Sequence, residues 1–123
     1  MSDGLVTTGD GSLSLVHPEH GESYHSHFGA LAEAQRLYIE ASGFLNHCQN
    51  YQSDREQSVL DIGLGLGYNG VTTLATWRDS PSPATLTLIS LENDATLFAE
   101  LKTGQARWQE NWPRLWKTWV QSL

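Results

Sequence analysis

The stretch that decides the fold is Val59-Leu60-Asp61-Ile62-Gly63-Leu64-Gly65-Leu66-Gly67-Tyr68-Asn69. A short apolar strand runs straight into three alternate glycines, and a helix is predicted directly after them. Glycines at such a place let the backbone turn tightly and approach a ligand, because no side chain stands in the way. The start of the helix adds backbone N–H groups that have no partner within the helix. The pattern therefore predicts a ligand-binding loop between a strand and a helix.

Two nucleotide-like ligands compete for such a loop. A dinucleotide site prefers Gly-x-Gly-x-x-Gly, which places a pyrophosphate at the helix N-terminus. Here the spacing is Gly-x-Gly-x-Gly, and Asp61 lies inside the strand just ahead. A carboxylate at that point disfavours pyrophosphate and favours a ligand that carries an amino group, so the spacing favours S-adenosylmethionine over NAD. A phosphate-binding P-loop is excluded, since no Lys-Ser or Lys-Thr follows the glycines.

A second acid follows the next predicted strand, which ends in Leu91-Glu92-Asn93. An acid at the carboxyl end of a strand can accept hydrogen bonds from both hydroxyls of a ribose. The alternative interpretation is purely structural: the glycines form a strand-to-helix turn, and Glu92 is a solvated strand end. The order of the two features on strand, helix and strand favours the nucleoside ligand.

The remaining chain predicts an α/β fold in which a hairpin and a helix precede a β-α-β-α unit. Strands that alternate with helices at this spacing imply a parallel pair with a right-handed crossover. We divide the chain at residue 57, with the hairpin, the His/Tyr loop and the first helix in 1–57 and the ligand-binding unit in 58–123. The predicted elements are a hairpin turning at Asp10-Gly11, a helix from Gly29 to Cys48 that Gly43 interrupts, a buried strand from Ser58 to Leu64, a helix from Asn69 to Trp77, a strand from Thr85 to Leu91, a helix from the N-cap Asp94 towards Glu110, and a last helical piece from Arg114.

Composition and charge exclude several classes of protein. The chain has 123 residues, of which 39% are hydrophobic, which suits one domain with a modest core. No apolar run is long enough to span a membrane, and Met1-Ser2-Asp3-Gly4 does not begin a secretory signal. The single cysteine cannot form an intrachain disulfide. We therefore expect a cytoplasmic protein.

The net charge of −7 is unevenly distributed. Residues 101–123 carry four bases, Lys102, Arg107, Arg114 and Lys117, against one acid. The acidic remainder of the chain lacks the electrostatic character of a nucleic-acid-binding protein, and four bases in a helical tail are too few to argue for one.

Four of the five histidines lie in His17-Pro18-Glu19-His20-Gly21-Glu22-Ser23-Tyr24-His25-Ser26-His27. Imidazoles and carboxylates together suit zinc or iron, so a metal site is one interpretation. The segment is irregular, however, and shows no His-x-x-x-His on a helix. Solvated or loop-capping histidines are the preferred interpretation, and we assign no metal ligand.

Three segments in order carry a resemblance to a known family. They are Gly9-Asp10-Gly11-Ser12-Leu13-Ser14-Leu15, then Glu22-Ser23-Tyr24-His25-Ser26, then Gly29-Ala30-Leu31-Ala32-Glu33-Ala34. Together with the glycine loop and Ile89-Ser90-Leu91-Glu92, they closely resemble the N-terminal half of the MnmC-like methyltransferases. Members of this family use S-adenosylmethionine to methylate the 5-aminomethyl group of the wobble uridine in certain tRNAs. The resemblance covers most of residues 8–100.

The resemblance implies roles for particular residues. The methionine end of the cofactor would be lined by Asp61, Gly63, Gly65, Gly67 and Asn69, and Glu92 would hold the ribose. Tyr24, with His25 and Ser26, would sit where cofactor and substrate meet. The family usually has a small or polar residue at position 66 and Leu at 68, where this chain has Leu66 and Tyr68. No residue is assigned as the base that removes the proton of the amine.

The C-terminal part departs from the family. Nothing after Leu91 supplies the aspartate-containing strand that completes the family's active site, so we expect a truncated Rossmann-like class I methyltransferase fold. Trp108, Trp112, Trp116 and Trp119 would form one stripe on a continuous helix. Two hypotheses follow: a tRNA methyltransferase present as a fragment, or a non-catalytic remnant that self-associates or binds a partner through this stripe.

Overall fold

The computed structural model describes residues 4–26 and 28–123. Met1, Ser2 and Asp3, used above to exclude a secretory signal, and His27 of the histidine segment lie outside the described residues. The described chain is a mixed α/β structure with two small sheets, one antiparallel and one parallel. None of its helices is both long enough and apolar enough to cross a membrane.

The elements follow the predicted order. Five helices and four strands are described, with a π-helical segment and a 3₁₀ turn between them. Their bounds are β1 (Leu5–Thr7), β2 (Leu13–Leu15), α1 (Ala30–Glu33), the π-helical segment (Ala34–Glu40), α2 (Phe44–Asn50), β3 (Gln57–Ile62), α3 (Tyr68–Arg78), β4 (Leu86–Leu91), α4 (Ala95–Lys102), the 3₁₀ turn (Arg107–Gln109) and α5 (Arg114–Gln121).

The parallel pairing of β3 and β4 confirms the predicted β-α-β unit. Asp61 is opposite Ser90, and Ile62 is opposite Leu91. Beyond the last pair, the N–H groups of Gly63 and Leu64 both donate to the carbonyl of Leu91 at 2.9 Å. These bonds fasten the start of the glycine loop to the end of the neighbouring strand.

The main core joins the N-terminal hairpin to the glycine loop and the C-terminal segment. Its members are buried apolar side chains from all three regions, among them Leu13, Leu66, Leu101 and Trp108. Trp108, which is fully buried, also donates its indole N–H to the carbonyl of Leu66 at 2.9 Å. The core therefore fixes the glycine loop through the side chain and the carbonyl of Leu66.

Two helix predictions need correction. The helix that begins at the N-cap Asp94 ends at Lys102 rather than near Glu110, because Gly104 takes a left-handed backbone with φ +67°. The predicted helix from Gly29 to Cys48 breaks at Gly43, as expected, since this residue has φ +87°. Its middle part is π-helical rather than α-helical, with the N–H of Ala41 bonded to the carbonyl of Arg36.

The prediction of a buried strand at β3 is also wrong, because every second side chain of this strand is exposed. Four large apolar side chains on one face of the β3–β4 sheet are exposed, and they form two cross-strand pairs. Their exposed fractions are 60% for Leu60, 74% for Ile62, 51% for Ile89 and 52% for Leu91. Parallel sheets are normally covered on both faces. In the described part of this chain, helices cover one face only.

The tryptophan stripe does not form on a continuous helix. Trp108 lies in the 3₁₀ turn, Trp112 in the following turn, and Trp116 and Trp119 on α5. Trp108 and Trp112 are buried, while Trp116 and Trp119 pack against the same core. Two of the four tryptophans therefore belong to this chain's own core, while Trp116 and Trp119 are half-buried beside it.

Candidate functional site

A pocket of about 370 Å³ opens at the carboxyl end of β3, beside the glycine loop. Five of the seven predicted site residues line it: Tyr24, Asp61, Gly63, Gly65 and Asn69. Its volume falls within the range of small-molecule sites. Gly67 and Glu92, the other two, are not among the lining residues.

Asp61 supplies the acidic group of the pocket. Its Oδ2 atom accepts a hydrogen bond from the Ser90 hydroxyl at 3.0 Å, directly across the strand pair. Burial raises the pKa of the Asp61 carboxyl; the bond from Ser90 lowers it, and the nearby charge of Glu92 raises it further. A cationic ligand in the pocket would offset both of the effects that raise this pKa, because an opposite charge stabilises the ionised carboxylate.

The three glycines of the loop have different surroundings. A Cβ atom on Gly63 would meet nothing within 4 Å, and one on Gly65 would meet only the carbonyl of Gly63 at 3.8 Å. A Cβ atom on Gly67 would lie 3.0 Å from Leu101 and 3.2 Å from Trp112. Gly63 and Gly65 therefore leave room on the pocket side, whereas Gly67 lets the core pack against the start of α3.

Glu92 contacts the loop rather than the lining of the pocket. Its Oε1 atom accepts the N–H of Gly65 at 2.7 Å, and its Oε2 atom accepts the N–H of Asp94 at 2.9 Å. The carboxylate thus holds the second glycine in place. The pKa of the Tyr24 phenol is raised, first by burial and then by the negative charges of Asp94 and Glu92.

The Tyr-His-Ser segment is anchored to the hairpin. The N–H of Tyr24 donates to the carbonyl of Leu15 at 2.9 Å, which extends the antiparallel pairing of Val16 with Ser23. His25 lies within hydrogen-bond distance of the buried Ser14, with Nδ1 to Oγ at 2.8 Å. These contacts bring Tyr24 and His25 to the pocket from a part of the chain distant in sequence from the glycine loop.

His25 also packs edge-on against the ring of Tyr68, with centroids 5.1 Å apart. Burial lowers the pKa of its imidazole, and the negative charge of Glu33 opposes this effect. Glu33 lines the pocket and accepts the backbone N–H of Ser26. The pocket therefore has a second acidic side chain and an imidazole that favours its neutral form.

Tyr68, which departs from the family pattern, joins the pocket to the hairpin. Its hydroxyl donates to the carbonyl of Leu13 at 2.6 Å, and the side chain is 2% exposed. The ring lines the pocket while the hydroxyl is turned to the hairpin. Tyr68 thus serves as a wall of the site and as a link to β2.

Sequence reasoning missed several lining residues. Glu33 and Tyr38 come from α1 and the π-helical segment, and Thr73 comes from α3. A regular helical pattern gives no sign of a π-helical turn, which widens the helix and is frequent at functional sites. Tyr68 could have been found, since it follows the glycine loop directly.

The upstream histidines stabilise their own loop. His17 accepts the N–H groups of Glu19 and His20 through Nδ1, at 3.1 and 3.3 Å. Its ring also stacks near that of His20, with centroids 4.4 Å apart. Among residues 4–26 and 28–123, no three His, Cys, Asp or Glu side chains come together in a group that could hold a metal ion.

The site can hold a small cationic ligand with a polar body. Asp61 and Glu33 offer negative charge, the open side of Gly63 and Gly65 allows close approach to the backbone, and Tyr24 and Asn69 offer hydrogen-bonding side chains. A partly buried carboxylate beside an open glycine backbone fits a group that carries an ammonium or sulfonium charge. The residues present therefore fit S-adenosylmethionine at its methionine end.

Curated relatives match part of the chain. It is 35% identical over 69 residues, 56% of its length, to the "tRNA 5-methylaminomethyl-2-thiouridine biosynthesis bifunctional protein MnmC" of Burkholderia multivorans. It is 36% identical over 78 residues, 63% of its length, to the protein of the same name from Burkholderia mallei. The matches span 10% and 11% of these relatives, so the chain corresponds to about a tenth of their length. No protein-family model matches the chain.

A solved structure also matches the fold. "Crystal structure of MNMC2 from Aquifex Aeolicus" superposes with a TM-score of 0.63 and 33% sequence identity, over 73% of this chain and 29% of that one. The sequence matches and the superposition agree with the resemblance carried by the Tyr-His-Ser segment and the glycine loop. Over the matched part of its length, this chain is therefore related to the MnmC and MnmC2 proteins.

Proposed function

We propose that the chain is the cofactor-binding, N-terminal part of an MnmC-type methyltransferase that acts on the 5-aminomethyl group of the wobble uridine in tRNA. The single observation that carries the proposal is the pocket in which Tyr24, Asp61, Gly63, Gly65 and Asn69 converge. S-adenosylmethionine would supply the methyl group. The Rossmann-like class of the fold, the division of the chain at residue 57 and a cytoplasmic location belong to the same proposal.

In this proposal, the chain's residues bind and position. Asp61 attracts the positive charge of the methionine end, and Gly63 and Gly65 let the ligand reach the backbone. Glu92 contributes by fixing Gly65, at 2.7 Å; a contact with the ribose would require its carboxylate to turn from this bond or to share it. Tyr24 and His25 form the wall at which the amine of the substrate would enter.

Methyl transfer from labelled S-adenosylmethionine to tRNA that lacks the methyl group tests the proposed activity. The proposal expects label in the wobble uridine, and at least ~10-fold less label with Asp61→Asn when S-adenosylmethionine is well below saturation. Label incorporated equally by both chains would contradict the role of Asp61. Failure to label with either chain would reject catalysis by this chain alone, while its cofactor binding would still be measurable by calorimetry.

A second candidate is a non-catalytic module that self-associates. The observation that favours it is the exposed face of the β3–β4 sheet, made of Leu60, Ile62, Ile89 and Leu91. Apolar side chains in such an array gain free energy when another surface covers them. In isolation that surface would come from a second copy. Sedimentation should then show a dimer that Ile62→Thr with Leu91→Thr dissociates; a wild-type monomer at high concentration would reject this candidate.

A further inference from the structure

A second groove, of about 700 Å³, lies between the 3₁₀ turn and α5. It shares no lining residue with the pocket beside the glycine loop. Three of the chain's seven Lys and Arg residues line it: Arg107, Arg114 and Lys117. Sequence alone places four bases in this segment, and the fold gathers three of them around one depression.

Helix α5 explains why these side chains share a face. Arg114, Lys117 and Gln121 are three and then four residues apart, so they lie along one side of the helix. Trp116 and Val120 lie on another side and pack against the main core. Because the apolar side is fixed in the core, the basic side is held towards the groove.

The charge of the groove is opposite to that of the chain. Glu110 is the one acid among the lining residues, so the groove carries a formal charge of +2 on a chain of −7. Arg107 and Arg114 are exposed, and Lys117 is half-buried with its Nζ atom 3.5 Å from the carbonyl of Glu110. Thr118 and Gln121 add neutral polar side chains at the same surface.

Such a surface fits an extended polyanion. Arginine and lysine donate to phosphate oxygens, and Thr and Gln side chains commonly add contacts to the phosphates and sugars of nucleic acids. We propose that this groove binds the phosphate backbone of RNA, although the rest of the protein is acidic. The choice of RNA among polyanions rests on the proposed function, because the proposed substrate is a uridine of tRNA.

The test is fluorescence anisotropy with end-labelled tRNA and the full chain. In one variant Arg107, Arg114 and Lys117 are all changed to Glu. In the matched control Arg36, Arg55 and Lys102, which do not line the groove, are changed to Glu with the same change in net charge. We expect the groove variant to bind tRNA at least ~10-fold more weakly than the control, and its log–log salt slope to fall by about two units for three lost phosphate contacts.

Three outcomes would overturn the inference. One is the absence of tRNA binding by the wild-type chain at low salt. Another is an equal loss of affinity in the groove variant and the control, which would show a general charge effect. The third is equal binding of polyglutamate, which would show a site for any acidic polymer. Circular dichroism melts establish that both variants fold.

Calorimetry with S-adenosylmethionine separates this inference from the proposed function. The groove variant should bind S-adenosylmethionine as the wild-type chain does, since no groove residue lines the other pocket. Loss of tRNA binding with cofactor binding retained therefore supports the groove. Loss of both in a folded variant would contradict a separate RNA site.

Discussion

The carboxylate of Glu92 accepts a hydrogen bond from the backbone N–H of Gly65 at 2.7 Å, across 27 residues of sequence. This bond ties the acid at the end of β4 to the centre of the glycine loop that follows β3. The two features that point to a nucleoside ligand are therefore one structural unit, and ligand binding at the loop is expected to depend on this contact.

Replacement of Glu92 separates its structural role from its charge. Glu92→Ala removes the acceptor for the N–H groups of Gly65 and Asp94 and should cost about 1–3 kcal/mol of unfolding free energy. Glu92→Gln keeps one acceptor oxygen and places a donating NH2 group at the position of the other, so it can keep only one of the two bonds and should cost less than Glu92→Ala. Urea titration measures both losses, and a loss for Glu92→Gln as large as that for Glu92→Ala would contradict a role for the retained hydrogen bond.

The loop glycines form a matched pair for a second prediction. Gly63→Ala and Gly67→Ala both place a Cβ atom on a left-handed backbone, with φ +81° and +93°. Only the second also presses on Leu101 and Trp112. We expect Gly67→Ala to destabilise the fold by about 1–3 kcal/mol more than Gly63→Ala. Thermal melts compare them, and equal melting temperatures would argue against the packing role of Gly67.

His25 predicts a dependence of stability on pH. Burial lowers the pKa of its imidazole below the ordinary 6.5. The unfolded chain then binds more protons than the folded one between the folded pKa and about 6.5, so stability falls as the pH drops through that window. His25→Asn keeps a polar group near Ser14 and should flatten this part of the profile. Urea midpoints from pH 7.5 to 5 provide the measurement, and parallel profiles would contradict it.

Trp108 tests whether the tryptophans belong to the core. Trp108→Phe removes the indole bond to the carbonyl of Leu66 and leaves space in a fully buried position. A loss of about 2–4 kcal/mol is expected. Trp119→Phe, at a partly exposed position, should cost about 1 kcal/mol or less. Similar losses for the two variants would contradict the assignment of Trp108 to the interior.

Local patterns predicted most of the β-α-β unit. The alternating glycines, the alternation in Thr85–Leu91 and the N-cap at Asp94 each specify backbone conformation within a few residues. The side chain of Asp94 does accept the N–H of Leu97 at 3.0 Å, as a cap should. Five of the seven predicted residues line one pocket, and all five lie in two contiguous motifs, the glycine loop and the Tyr-His-Ser segment.

Features that depend on tertiary contact were not predicted. Gly104 is a local stop signal that the prediction for α4 overlooked; what the sequence does not show is that a Cβ atom there would lie 3.0 Å from the side chain of Gln121 on α5. The role of Gly67 depends on Leu101 and Trp112, which are distant in sequence. The exposed face of β3 was missed because a short apolar run predicts a buried strand, and the sequence does not show whether another element covers it.

We expect Asp61→Asn to fold as stably as the wild-type chain, so that it tests the role of the charge alone. Burial raises the pKa of the Asp61 carboxyl, so the ionised carboxylate costs the fold some stability relative to the unfolded chain. An asparagine oxygen can still accept the bond from Ser90, which in the wild type is 3.0 Å long. Asp61→Asn should therefore melt at or above the wild-type temperature, so that a lost function is not a lost fold.

Calorimetric titration of the chain with S-adenosylmethionine tests the account most directly. We predict saturable heat for the wild-type chain and an affinity at least ~10-fold weaker for Asp61→Asn, because a charge-assisted contact is worth about 1.5–3 kcal/mol. The demethylated product lacks the sulfonium charge but keeps the ammonium group, so its binding should also weaken in Asp61→Asn. No heat with millimolar S-adenosylmethionine, or equal affinity in the two chains, would contradict the assignment of this pocket.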